Sequence, residues 1–445
     1  MTTAASSALY NTIPMWVRLF PIFFFVMYLT FTVLFFSLGP FDYPVDNPVS
    51  LYTFLALAHV ALFAGYWRVA FREPRGYRGD VQVPRLVLSS AVATLLLLFP
   101  TSKARTGNFM PDVVYGIFNP GEAYASTYSL TTESSGLPLI EYIRILLGPL
   151  LGMLLPLAVF YWERLDNKTR ILATTGILST VALFLAMGTN KAIADTVLLL
   201  PWMVFAAHKA GTIVLGFRRI AVLAVCSVAA FVLFLAFFGA GMLARAGSPV
   251  ASGFFPATGS TADTDNFLIR HLGAAPTAVV MGLDIYLTPG YYALSLSLRE
   301  PFVPMYGVGN STFLYRQAAR ITGDKEILKS PYPVRIEKYG WDSQQLWATI
   351  YPWIASDVSF PGTIVVIYFI GRLFALSWID TLGCKNPFAV VIFSQFVIML
   401  FYFPANNQLL QSGEGFAAFW VTLILWWRSR RAPSPIGGRI AAASA

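Results

Sequence analysis

Apolar runs of about 20 residues recur along this chain, each long enough for a helix to cross the ~30 Å hydrocarbon core of a bilayer. The first begins at Met15 and the last ends at Trp427, so the pattern covers nearly all of the 445 residues. Inside hydrocarbon, every backbone polar group has to be satisfied within the protein, which leaves only helices and closed barrels. A barrel needs strict polar–apolar alternation along ~10-residue strands, and these runs are continuously apolar. Charged residues make up 12% of the chain, about half of the ~25% found in soluble domains. The fold class expected is therefore an all-α integral membrane protein.

The spans read in order as 15–38, 51–69, 86–100, 137–162, 171–187, 196–207, 220–243, part of 346–378, 388–403 and 414–427, ten in all. Short loops rich in Lys and Arg stay in the cytoplasm. By that rule the loop with Arg68, Arg72, Arg75, Arg78 and Arg85 is inside. So are the loop with Arg164, Lys168 and Arg170, the loop with Lys209, Arg218 and Arg219, and the tail with Arg428, Arg430, Arg431 and Arg439. Both termini are then cytoplasmic. Residues 101–136 form a polar outer loop, and 380–387 form an inner one. The chain divides into a bundle of seven spans (1–244), a long outer segment (245–345), a bundle of three spans (346–427) and a basic tail (428–445). No cleavable leader is expected, because the first apolar run continues for a full span. Cys226 and Cys384 fall at different depths, and His59, His208 and His271 have no metal-ligand spacing.

The net charge of +9 is largely a matter of topology. The long outer segment is the exception. It carries Arg245, Arg270, Arg299, Arg316, Arg320, Lys325, Lys329, Arg335 and Lys338 on the side where short loops would lack them. Lys325 and Lys329 can pair with Asp324 and Glu326. For the others phosphate is the natural partner, since guanidinium forks bind its oxygens bidentately and lysine acts as a point charge. Interleaved aromatics, among them Tyr291, Tyr292 and Trp341, offer flat faces of the kind on which sugars stack. Within this segment, 274–298 is apolar enough either to cross or to lie at the interface. Asp284, Pro289 and Gly290 weaken it as a lipid-facing span. Elsewhere, Glu141 and Arg144 are charges at membrane depth, three residues apart and able to pair on one helix face. The turn Asn406-Asn407-Gln408, with Gln411, can cap helix ends or hydrogen-bond sugar hydroxyls.

Local wording adds to this layout. Gly188-Thr189-Asn190-Lys191 stands at a span end. Gly290-Tyr291-Tyr292-Ala293-Leu294-Ser295 is followed by Tyr306-Gly307-Val308-Gly309. Trp347-Ala348-Thr349-Ile350 leads to Asp357-Val358-Ser359-Phe360-Pro361-Gly362. In this wording, the many spans and the long late outer segment, the chain resembles the bacterial O-antigen polymerases, the Wzy-type oligosaccharide repeat-unit polymerases. The resemblance implies a glycosyltransferase of the inner membrane that works on the periplasmic face without cofactor or metal. Donor and acceptor would be undecaprenyl-diphosphate-linked oligosaccharides, with membrane lipid, a chain-length regulator and a flippase as partners and no role for nucleic acid. Lys191, Arg245 and Arg270 near span ends, and Arg316, Arg320 and Arg335 from above, are then expected to hold the diphosphate. His271, Asp357 and Asp342 are the expected bases, and Tyr291, Tyr292 and Trp341 the expected sugar platform. Two alternatives stay open. One is a ligase or another polyprenyl-phosphate glycosyltransferase, for which Asp42 and Asp46 in the first outer loop are relevant. The other is a flippase, which would call for an internal repeat.

Overall fold

The computed structural model describes residues 13–77, 79, 81–132, 138–246, 253–255, 258–343, 345–384 and 386–430. Its helices, in chain order, begin with α1 (Met15–Leu38), α2 (Pro48–Trp67), α3 (Val83–Thr106), α4 (Val113–Phe118) and α5 (Pro120–Thr132). Next come α6 (Leu139–Leu151), α7 (Leu154–Phe160), α8 (Asn167–Ala186), α9 (Lys191–Lys209) and α10 (Phe217–Ala246). In the long outer segment lie α11 (Ala274–Leu287), α12 (Pro289–Ser297), α13 (Thr312–Thr322) and α14 (Tyr332–Arg335). The chain closes with α15 (Ile350–Cys384), α16 (Pro387–Tyr402) and α17 (Gly413–Ser429). A small antiparallel ribbon, β1 (Phe254–Phe255) with β2 (Ser260–Thr261), precedes α11.

Among the described residues, eight helices are long and apolar enough to cross a membrane, α6 and α7 counting together as one broken helix. This is a helical membrane protein. The expected spans 388–403 and 414–427 correspond to shorter helices of 16 and 17 residues. Three loop assignments change. Residues 101–106 continue α3, so that Lys103 and Arg105 ride on its last turn. The rest of the expected outer loop contains α4 and α5. The expected inner loop at Asp380 is helical through Cys384, because nothing in Trp378-Ile379-Asp380-Thr381-Leu382 breaks a helix.

Residues 274–298 form neither one span nor a loop. Pro289 has no amide to donate, and it starts a new helix after Thr288. The resulting helices of 14 and 9 residues are not among the eight that are long and apolar enough to cross. At its far end α10 meets α11 through two glycines: a Cβ on Gly282 would stand 2.6 Å from the Gly239 carbonyl oxygen. The rest of the apolar stretch of α10 buries nothing against the bundle.

The bundle is built around α15, which runs along α2. A Cβ on Gly65 would strike the Tyr368 carbonyl, and one on Gly371 the Leu62 carbonyl, so this crossing needs both glycines. Close approach of small residues is how membrane helices gain packing energy without a hydrophobic drive. Phe25, Trp202, Phe374, Phe393 and Trp378 stack through the centre, and the Trp378 indole donates to the Val17 carbonyl at 3.0 Å. At Ser359 α15 bends, with φ 66° and ψ 170°, two residues before Pro361.

Each end of the bundle is tied. At one, Asp380 receives the Arg75 amide (3.2 Å), the Trp426 indole (2.9 Å) and Arg430 (2.7 Å), and Tyr77 pairs with Arg430 in a β-bridge. At the other, Phe41 bridges Ala262 and Asp46 pairs with Arg299 at 2.8 Å.

Asp284, on α11, is fully buried. It accepts the Phe41 amide (3.1 Å) and the Thr288 hydroxyl (2.7 Å). Burial pushes its carboxyl up to about 7, and these two hydrogen bonds pull the other way without reversing the shift. The folded protein therefore keeps a proton that the unfolded chain releases near its ordinary value of 3.8, and stability falls as pH rises from about 3.8 to about 7. Asp284→Asn is expected to raise the melting temperature in detergent at pH 8 and to leave it unchanged at pH 4. Equal shifts at both pH values would show that the carboxyl does not titrate there.

Candidate functional site

Beneath α13 the bundle opens into a cavity of about 660 Å³. Its walls come from α3, α6 to α9, α16, α17, α13 and the turn 406–412. Thr94, Ser394 and Gln395 line it from the middles of α3 and α16, so it reaches well into the bundle.

Among the described residues, seven charged side chains line this space, and six of them form three pairs. Arg105 binds Glu141 through two bonds of 2.7 and 2.8 Å. Arg144 binds Glu414 through bonds of 2.9 and 3.0 Å and also reaches the Thr101 hydroxyl at 3.3 Å. Lys191 meets Asp195 at 2.5 Å, one helical turn further along α9. Local structure favours these pairs. Glu141 and Glu414 sit in first turns and Arg105 in a last turn, where the helix dipole stabilises charges of those signs. Gly148 lets the start of α17 approach α6, since a Cβ there would lie 2.6 Å from the Glu414 carbonyl oxygen. Charges withdrawn from water are expensive unless paired.

The seventh charge is Arg316. It is exposed on α13 and has no ion-pair partner among the described residues. Its helix is held to the turn before α17. The Ser311 hydroxyl donates to the Leu410 carbonyl (2.5 Å), and the Thr312 amide to the Gln411 side-chain oxygen (2.9 Å). The Phe313 amide donates to the Gln411 carbonyl (3.1 Å), and Asn407 to the Asn310 carbonyl (2.6 Å).

Of the expected diphosphate ligands, the structure brings Lys191 and Arg316 to one cavity. The others lie elsewhere. Arg270 and His271 are exposed on the turn before α11. Arg320 is exposed on α13 and donates to the Tyr142 hydroxyl at 3.1 Å. Arg335 is taken up by Glu300 (2.9 Å), a buried carboxylate that also binds Lys338 and Tyr339. The side chain of Arg245 lies outside the described residues.

The expected bases are placed in other roles. Both Asp357 oxygens are engaged by the amides of Gly307 and Gly309 (2.8 Å each), the amide of Asn310 (2.9 Å) and its side chain (2.7 Å). Asp357 thus anchors the loop before α13. Asp342 accepts the Gln345 amide at 3.2 Å and is not among the cavity residues. Nor do the expected aromatics form a surface platform. Tyr291, Tyr292 and Trp341 are buried, Tyr291 on Thr32 (2.8 Å) and Tyr292 between Tyr43 and Trp341. Sequence alone shows that such rings are present, but not that every residue of the short helix bearing Tyr291 and Tyr292 is buried.

Glu141 and Arg144 do not pair with each other. Their partners, Arg105 and Glu414, come from other helices. Asp195, Glu414 and Gln395 are the residues that sequence reasoning passed over. The signal was available as an acid one turn after Lys191, an acid opening the last span and an amide in an otherwise apolar α16.

Among the described residues, no group of three or more His, Cys, Asp or Glu side chains is placed to hold a metal ion. No family model, no curated protein and no solved structure matches this chain.

Proposed function

We propose that this cavity is the active site of a membrane glycosyltransferase. It would move a glycan from a polyprenyl diphosphate to the non-reducing end of a second lipid-linked repeat unit on the periplasmic face of a bacterial inner membrane, building O-antigen or a related surface polysaccharide. The observation that carries this reading is the charge arrangement among the described residues: three neutralised ion pairs and one unpaired guanidinium, Arg316, around a space within a membrane bundle. An anionic group entering there meets one uncommitted cation and the donors of Lys191.

In the reaction proposed, the bond between anomeric carbon and phosphate oxygen breaks and the acceptor hydroxyl oxygen takes its place. The lipid diphosphate leaves with its bonding electrons. A cation fixed beside the leaving oxygen stabilises the charge as it develops, with no reorganisation at that moment. The acceptor proton passes to a carboxylate, and Glu141, Asp195 and Glu414 are the ones that line the space. The donor arrives already activated, so no nucleotide site is required.

The test is direct. Purified protein is incubated with a diphosphate-linked repeat unit, without nucleotide or metal, and a product ladder is expected. Transfer only to a different lipid acceptor would make it a ligase. Translocation in vesicles without any transfer would overturn the enzyme reading. Arg270, exposed and outside the cavity, is expected to be dispensable. Arg270→Ala should keep ladder formation within about twofold of the wild type, and its loss would place the diphosphate elsewhere.

A further inference from the structure

The cavity has a second kind of lining that the ion pairs leave unused. Gln395 on α16 and Asn406 in the turn after it are 7% and 2% exposed, and Gln411 also lines the cavity. The Gln395 Oε1, Asn406 Oδ1 and Gln411 Nε2 atoms are buried and have no hydrogen-bond partner within the protein. Their remaining atoms are partly committed: Gln411 Oε1 accepts from Thr312, and Asn406 Nδ2 donates to Gln408 at 3.1 Å. A buried amide atom left without a partner costs roughly 1 to 3 kcal/mol. Amides inside a membrane bundle are uncommon unless something needs them.

We infer that Gln395, Asn406 and Gln411 form a subsite for a polyhydroxylated ring, the sugar next to the diphosphate. The inference rests on the reading of this cavity as the site for a lipid-linked glycan. The two oxygens accept from hydroxyls, and the one nitrogen donates to a hydroxyl or ring oxygen. A hydroxyl does both at once, so a sugar satisfies a mixed set of acceptors and donors that a phosphate, purely an acceptor when ionised, does not. Charge supports the division. The amides carry none and would add little to diphosphate binding, whereas Arg316 and Lys191 carry charge and suit the diphosphate.

The experiment compares two probes on purified protein by native mass spectrometry. One is undecaprenyl diphosphate without sugar. The other is lipid-linked oligosaccharide extracted from membranes of cells lacking this protein. Gln395→Leu and Asn406→Leu are each measured beside the wild type, with melting temperature recorded for all three. The expected result is unchanged affinity for the sugarless lipid and at least a tenfold loss for the glycosylated one. The ligand-free Gln395→Leu protein should be at least as stable as the wild type, because an unpartnered amide has been removed. Equal loss for both probes, or no loss for either, would overturn the subsite. So would a fall in ligand-free stability, which would give the amide a structural partner. Failure of the wild type to bind either probe would overturn the underlying reading of the cavity instead.

Discussion

Arg316→Ala is expected to abolish ladder formation, with a loss of about 10²- to 10³-fold in rate, the range seen when one preorganised donor to a developing anion is removed. The protein should remain folded, because Arg316 is exposed and no ion pair in the described structure depends on it. Arg316→Lys keeps the charge but not the fork, so partial recovery is expected. The measurement is the initial rate of chain extension at saturating lipid-linked substrate, with melting temperature as the control. Activity near the wild-type level would remove the residue on which the proposed chemistry depends.

The largest effect on stability is expected at Arg144. Its guanidinium is 10% exposed and joins α6 to α17 through Glu414. Arg144→Leu leaves the Glu414 carboxylate facing the bundle without its counter-charge. Removing one partner of a buried pair costs about 3 to 5 kcal/mol, and the lower end applies here because the Glu414 side chain is 27% exposed. Thermal unfolding in detergent should show this as a clear drop in melting temperature. Replacing both residues, as Arg144→Leu with Glu414→Gln, should recover most of the loss, because no uncompensated charge is left behind. A single variant as stable as the wild type would mean that water already solvates the pair.

Spans were legible because hydrocarbon imposes one simple demand, apolar length: α1 meets it residue for residue, and α2, α8, α9 and α10 start three to five residues before the expected spans. Their ends were less legible. Helix α3 carries its last turn past Pro100 through Thr-Ser-Lys-Ala-Arg, a polar run that reads as loop until Glu141 is seen to receive Arg105. The cavity was visible only in fragments. Lys191 and Arg316 stood out as expected diphosphate ligands. Their company did not, since the partners lie on other helices and are brought in by packing. The tyrosine-rich segment misled for the opposite reason. Tyr291 and Tyr292 have the chemistry of a sugar platform, yet Gly290 seats their helix against the backbone at Thr349 and Pro404, which turns the rings inward.

The break in α15 has a mechanical consequence for the cavity. Asp357 lies two residues before Ser359, whose φ of 66° with ψ of 170° falls in a region kept almost wholly to glycine and costs another residue on the order of 1 kcal/mol or more. The same carboxylate holds the amides of Gly307, Gly309 and Asn310, and α13 starts two residues later at Thr312. The angle of a helix in the bundle is thereby passed, through one carboxylate, to the helix that presents Arg316. The bend serves as a reference point from which Arg316 is positioned over the cavity.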